Sequence, residues 1–208
     1  MRKVFGVCCI ILGICCLIAS VGFVVYNQRE EMHAQNASEN ILLDVQESMQ
    51  DIASEQSILV ESVFEKSLEP PVDFPKEMLT TQVNGYDCIG VLSIPVLELE
   101  LPVLTDWSYE KLKVAPCHYF GSCYEENFII AAHNYQSHFG RLSALQPKDL
   151  ILFTDISGMV HCYEVVLLET LPGSATEEMI TSGFDMSLYT CTPGGASRIT
   201  VRCNAYTG

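Results

Sequence analysis

Ser187-Leu188-Tyr189-Thr190-Cys191-Thr192-Pro193-Gly194-Gly195-Ala196-Ser197-Arg198-Ile199-Thr200-Val201-Arg202 reads as two β-prone runs joined by a short Pro-Gly-Gly turn. A cysteine ends the first run and an arginine opens the second. Folded as a hairpin, the stretch sets a thiol beside a guanidinium. A cationic neighbour favours the thiolate, and a forked donor can hold an oxyanion. Upstream, His133 follows the apolar run Asn127-Phe128-Ile129-Ile130-Ala131-Ala132. Cys191, His133 and Arg198 together point to acyl transfer by a cysteine nucleophile.

Outward from this hairpin the β texture continues. Ile89–Ile94, Leu97–Leu104, Phe128–Ala132, Leu150–Thr154, Val160–Leu168, Met186–Cys191 and Ile199–Cys203 are short β-prone runs separated by turn residues. Strands at this density predict a sandwich or a closed barrel. Helical interruptions are predicted over Phe139–Leu145 and over Thr176–Thr181, the latter with Glu177 and Glu178 in its first turn. The domain is therefore mainly β.

The N-terminal third differs. Val4 to Tyr26 carries no charge; as a helix it would span ~34 Å against a hydrocarbon core of ~30 Å. It is longer than a signal-peptide core of about 7–15 residues, and no small-x-small cleavage site follows it. Arg2 and Lys3 precede it and acids follow it, so the basic end is expected in the cytoplasm. Residues 27–84 hold three basic and twelve acidic groups, and the whole chain has a net charge of −15, which excludes a nucleic-acid binder. Leu42, Val45, Met49, Ile52, Leu59 and Val63 fall on a 3-4 alternation, predicting an amphipathic stalk helix. Its sharper reading is a stalk-mediated dimer. Glu69-Pro70-Pro71 and Pro75 then break the helix. The expected organisation is a cytoplasmic tip and transmembrane anchor over 1–26, an acidic stalk over 27–70, a linker over 71–85 and a catalytic β domain over 86–208.

Six cysteines follow the anchor: Cys88, Cys117, Cys123, Cys162, Cys191 and Cys203. If Cys191 is free, the other five cannot all pair within one chain, so they read mainly as small buried side chains, with a Cys117–Cys123 pairing left open. Cys117-His118 and Cys123 make no recognisable zinc spacing; no metal and no cofactor are expected. Among the histidines, His118 and His138 compete with His133, and His33 and His161 are discounted. Arg198 and Arg202 lie four apart on one strand face, and Arg198, nearer the turn, is the one expected to meet Cys191.

In this order, the residues resemble the sortases, membrane-anchored cysteine transpeptidases of Gram-positive cell envelopes. Ser187-Leu188-Tyr189-Thr190-Cys191 matches their T-L-x-T-C motif. Ile129-Ile130-Ala131-Ala132-His133-Asn134 matches the histidine strand, with alanine where glycine is common. Arg198 matches the arginine opening the next strand. Gly90-Val91-Leu92-Ser93-Ile94-Pro95, Leu101-Pro102-Val103, His118-Tyr119-Phe120-Gly121-Ser122, Phe139-Gly140-Arg141-Leu142 and Lys148-Asp149 follow in family order. The resemblance covers residues 86–204 and does not distinguish the class B and class D groups. It implies a closed eight-stranded barrel with short helices, and a Cys191–His133–Arg198 site with Thr190 and Thr192 supporting the substrate or oxyanion. The implied partners are a sorting-motif peptide of secreted proteins and the amine of a peptidoglycan cross-bridge or its lipid-linked precursor. The alternatives are a cysteine peptidase that only hydrolyses, and an inactive sortase-like scaffold.

Overall fold

The computed structural model describes residues 2–63 and 77–206, and side chains over 10–54 and 77–206. The end of the predicted stalk and the proline-rich stretch lie outside the described residues.

One helix, α1, runs from Arg2 to Val63 (Arg2–Val63). Its N-terminal part is long and apolar enough to cross a membrane, with a mean hydropathy of 2.3. From Ile10 to Tyr26 its large apolar side chains are exposed and touch no core, as expected of a helix apolar all round. Beyond that, the pattern becomes one-sided. Ala34, Ser38, Ile41 and Val45 are buried, and Leu42, Met49 and Ile52 pack on the same cluster as Val83, Cys88, Val91, Leu104 and Ala115. Over the described residues Leu42 to Ile52, the 3-4 seam of the stalk thus packs on the chain's own β domain, with Val45 fully buried there. Polar bonds flank the seam: Asn84 Nδ2 donates to Asp44 Oδ2 at 2.7 Å and Gln46 Nε2 to Glu100 Oε1 at 2.9 Å.

The β domain comprises β1 (Thr81–Val83), β2 (Tyr86–Ile94), β3 (Leu99–Leu104), β4 (Cys117–Phe120), β5 (Phe128–Ala131), β6 (Leu150–Asp155), β7 (Val160–Pro172), β8 (Met186–Cys191) and β9 (Ser197–Ala205). β2 to β9 close an eight-stranded mixed barrel in the order β2-β3-β4-β5-β8-β9-β7-β6, with β6 returning to β2. β3–β4 and β5–β8 are parallel and the other pairs antiparallel. β1, within the stretch expected to be linker, pairs with the start of β2. Closure is possible because β2 changes partners at a bulge between Cys88 and Gly90, where Gly90 has φ +153 and faces both Val103 and Asp155. A Cβ there would collide with the Thr154 carbonyl oxygen and the Phe153 ring.

The barrel interior is apolar. Leu92, Ile94, Val103, Phe128, Ile130, Phe139, Leu142, Ile151, Phe153, Met186, Leu188, Val201 and Cys203 are fully buried. Each such large side chain stabilises the fold by roughly 1.5–3 kcal/mol. Two elements differ from expectation. Phe139–Leu145 forms only a 3-10 turn at Leu142–Ala144, because Gly140 packs against the Asn134 and Tyr135 carbonyls and its N–H bonds Tyr135 O. A one-turn helix, α2 (Tyr109–Leu112), capped by the Ser108 side chain on Lys111 N, appears before β4. The helix expected over Thr176–Thr181 forms as α3 (Thr176–Ile180).

Candidate active site

Strand register brings the distant residues together. β5 and β8 are parallel with Ala131 opposite Tyr189. The pairing extends one residue further: Ala132 N donates to Tyr189 O at 3.2 Å, and the Thr190 hydroxyl donates to Ala132 O at 2.8 Å. Two residues beyond Ala131 is His133, and two beyond Tyr189 is Cys191, so the same offset carries the imidazole toward the thiol. β8 and β9 are antiparallel with Cys191 opposite Arg198, and directly opposed residues share a face.

The turn between them is tightly made. Gly195 N donates to Thr192 O at 2.8 Å and Thr192 N to Ser197 O at 2.9 Å, with Gly194 and Gly195 at φ +86 and +75. These are left-handed conformations that suit glycine. The Arg198 Nη1 donates to Gly195 O at 2.9 Å and Ser197 O at 3.1 Å, which draws the guanidinium over the turn.

His133, Cys191 and Arg198 line one cleft of about 150 Å³. Trp107, Tyr109, Tyr119 and Tyr189 form one side of it, their rings meeting at centroid distances of 5.4–5.8 Å. Ala175, Thr176 and Met179 of the α3 segment, with Pro172 and Gly173, also line it. The aromatic side is gathered from the β3–β4 connection, β4 and β8, so no single stretch of sequence displays it.

The electrostatics separate His133 from its competitors. Burial, and then the charge of Lys113, hold the His133 imidazole below its ordinary pKa, favouring the neutral base. His118 is fixed between two carbonyls, its Nδ1 3.1 Å from Thr105 O and its Nε2 2.8 Å from Gly121 O. His138 is fully buried, and burial followed by the charge of His133 push it down to about 4 against the opposing pull of the Ala34 backbone. Of these rings only His133 lines the cleft.

The two arginines are equally distinct. Arg202 is 2% exposed. Its Nε bonds Glu169 Oε1 at 2.7 Å, its Nη1 bonds Ser187 Oγ at 2.9 Å, and its Nη2 bonds Glu178 O at 2.9 Å. It ties β7 and β8 to α3 and does not line the cleft. Neither threonine expected to support substrate reaches the cleft. Thr190 is 1% exposed with its hydroxyl on Ala132 O. The Thr192 hydroxyl closes the turn, accepting from Ser197 N and donating to Ser197 O, both at 3.2 Å. Their side chains support the residues that do line it.

Cys88, Cys117, Cys123 and Cys203 are buried free thiols, pushed up to about 12 chiefly by burial. Cys117 and Cys123 are unpaired. Cys191 is instead half-buried at the cleft, beside Arg198.

Comparison with known proteins agrees with this architecture. Residues 92–206 match the family model for the sortase domain. The chain belongs to the sortase family, whose members are cysteine transpeptidases. No curated protein sequence matches it at a significant level. Among solved structures, the Streptococcus pneumoniae sortase C is 20% identical with a TM-score of 0.56, covering 81% of this chain and 97% of that one. The Clostridium perfringens sortase D5 transpeptidase is 22% identical with a TM-score of 0.53, covering 61% and 83%. A Clostridium perfringens sortase C, in a structure with the C-terminal cell wall sorting motif, is 17% identical with a TM-score of 0.54, covering 80% and 90%. At these identities the likeness is one of fold.

Proposed function

We propose that the chain is a membrane-anchored transpeptidase that cleaves a C-terminal sorting motif of secreted proteins and passes the acyl group to a cell-wall amine. The observation that carries this reading is the meeting of Cys191, Arg198 and His133 in one cleft. His133, neutral at rest, takes the proton of Cys191; the thiolate attacks a backbone carbonyl of the motif, and Arg198 donates to the oxygen on which negative charge develops. His133 as imidazolium protonates the departing amine, leaving a thioacyl enzyme. As the neutral base it then takes a proton from the incoming amine, which expels the thiolate. The Thr190 bond to Ala132 O positions His133 from behind. The sorting-motif structure of the Clostridium relative favours that substrate class. The apolar start of α1 serves as the anchor, with the basic tip inside and the β domain outside.

A peptide-library screen with and without amine acceptors tests the reading. Sequence-selective cleavage, diverted from acid to amide product by a good amine, is expected. Cleavage that no amine diverts would make the protein a cysteine peptidase, and no turnover would make it a scaffold.

A further inference from the structure

At a site apart from the cleft, two loop regions of the barrel meet. The β4–β5 connection carries Cys123 and Tyr124, β6 ends at Asp155, and His161 is the second residue of β7. The Cys123 Sγ, a carboxylate oxygen of Asp155 and a ring nitrogen of His161 lie within 4.8 Å of one another. All three are largely removed from solvent: Cys123 is 7% exposed, Asp155 1%, and the His161 side chain 14%. None lines the cleft that holds Cys191. No ligand spacing announces the set in the sequence, because closure of the barrel brings Cys123 to Asp155.

The carboxylate is oriented as a ligand would be. Asp155 Oδ1 accepts from Ser157 Oγ at 2.6 Å and from Met159 N at 3.0 Å. Those bonds leave Oδ2 turned toward His161 Nε2 at 3.1 Å and the Tyr124 hydroxyl at 2.7 Å. Oδ1 is held by the protein, and Oδ2 accepts from the Tyr124 hydroxyl and from His161 Nε2, so an ion would compete only for Oδ2 while the bonds to Oδ1 keep the carboxylate oriented. Zinc holds ligands at about 2.0–2.3 Å, which places them ~3.5 Å apart around a tetrahedral ion. The Asp155–His161 pair, at 3.1 Å, would open slightly to reach that spacing, and Cys123 Sγ lies within 4.8 Å of both. One sulfur, one imidazole and one carboxylate suit zinc, whereas calcium and magnesium demand more oxygen ligands.

We propose that Cys123, Asp155 and His161 form a zinc site that joins the β4–β5 connection to the β6–β7 hairpin, with water as fourth ligand and the Tyr124 hydroxyl remaining a donor to Asp155. On binding, the Cys123 S–H bond breaks, its proton passes to solvent and a metal–sulfur bond forms, with no change of oxidation state. His161 gives up its Nε2–H bond to Asp155, carries its ring proton on Nδ1 instead, and bonds the ion through the freed Nε2 lone pair. Without an ion, burial and the Asp155 charge keep the Cys123 thiol protonated, up to about 12. A dication reverses that preference by offsetting the carboxylate.

The full chain in detergent micelles, carrying Cys191→Ser to remove the cleft thiol, is stripped with a chelator and titrated with Co²⁺, then Zn²⁺. One equivalent of Co²⁺ with an intense thiolate-to-metal charge-transfer band is expected, displaced by Zn²⁺. Ser157→Ala, which frees Oδ1, should weaken Zn²⁺ binding by roughly 10–100-fold. His161→Gln and Cys123→Ala should each remove the band with the far-ultraviolet circular dichroism unchanged. If Cys123→Ala fails to fold, the other two variants decide the matter. A chain that shows no charge-transfer band, or a band that survives His161→Gln, overturns the site and leaves Asp155 as a hydrogen-bonded turn residue.

Discussion

Arg198 and Arg202 stand on one face of β9, four residues apart, yet their surroundings assign them opposite duties. Arg202 is enclosed by Glu169, Ser187 and the α3 carbonyls, so Arg202→Ala should lower folding stability by about 3–5 kcal/mol. Urea denaturation measures that loss. Arg198→Ala should leave the denaturation midpoint nearly unchanged and reduce kcat/KM by about 10²–10³-fold, the cost of losing one oxyanion donor. Equal destabilisation by both variants would contradict the division of labour.

Two histidines give pH predictions of known sign. Because Lys113 adds to the burial that depresses His133, Lys113→Met should move the His133 titration to higher pH, read by NMR of its ring. Lys113 is exposed, so the shift should shrink at high salt. For His138, the folded state holds its pKa at about 4 against an ordinary 6.5. Between those values the unfolded chain binds the extra proton, so stability rises with pH across the window. It is fully present above about 6.5 and lost as pH falls toward 4. Denaturation midpoints taken across that range should show the slope, and His138→Phe should flatten it.

At the scale of elements, the β5–β8 register does the assembling. Thr190→Val keeps the shape but leaves Ala132 O without its donor, which should cost about 1–3 kcal/mol and lower turnover by displacing His133. Stability loss with unchanged turnover would show that the register does not position the imidazole. The Cys-to-Arg hairpin was legible because Pro193-Gly194-Gly195 sits between two β-prone runs, and β2, β6 and β8 followed their apolar runs closely. β4 was not read as a strand: four residues, meeting β3 at the single pair Leu104–Cys117, give too little periodicity. β7 runs on to Pro172 because β9 pairs with it along its whole length, information that resides in the partner strand. The hydroxyls of Thr190 and Thr192 were expected in the cleft, and backbone acceptors claim both.

Across the whole molecule, α1 both carries the apolar segment and packs against β1, β2 and β3 of the β domain. Glu31 Oε1 accepts from Gln136 N at 2.7 Å, only three residues after His133, while Ile41 and Val45 are buried in the cluster beside β2. The seam was legible as an amphipathic helix, but a heptad pattern does not say whether a second stalk or the chain's own sheet covers it. The distinction arises because β1, β2 and β3 present Val83, Val91 and Leu104 to that face. Val45→Asp should therefore destabilise the β domain itself, seen as a lowered Tm, and leave the oligomeric state unchanged.

The central claim is that Cys191 becomes acylated by peptide and hands the acyl group to an amine. Intact-mass spectrometry of the full chain, mixed with an intact sorting peptide that it cleaves and quenched in acid, tests it most directly. A single thioester adduct on Cys191 is predicted, absent in Cys191→Ala and discharged to amide when an amine acceptor is added. Cleavage without any adduct on Cys191, or an adduct that amines leave untouched, would contradict it.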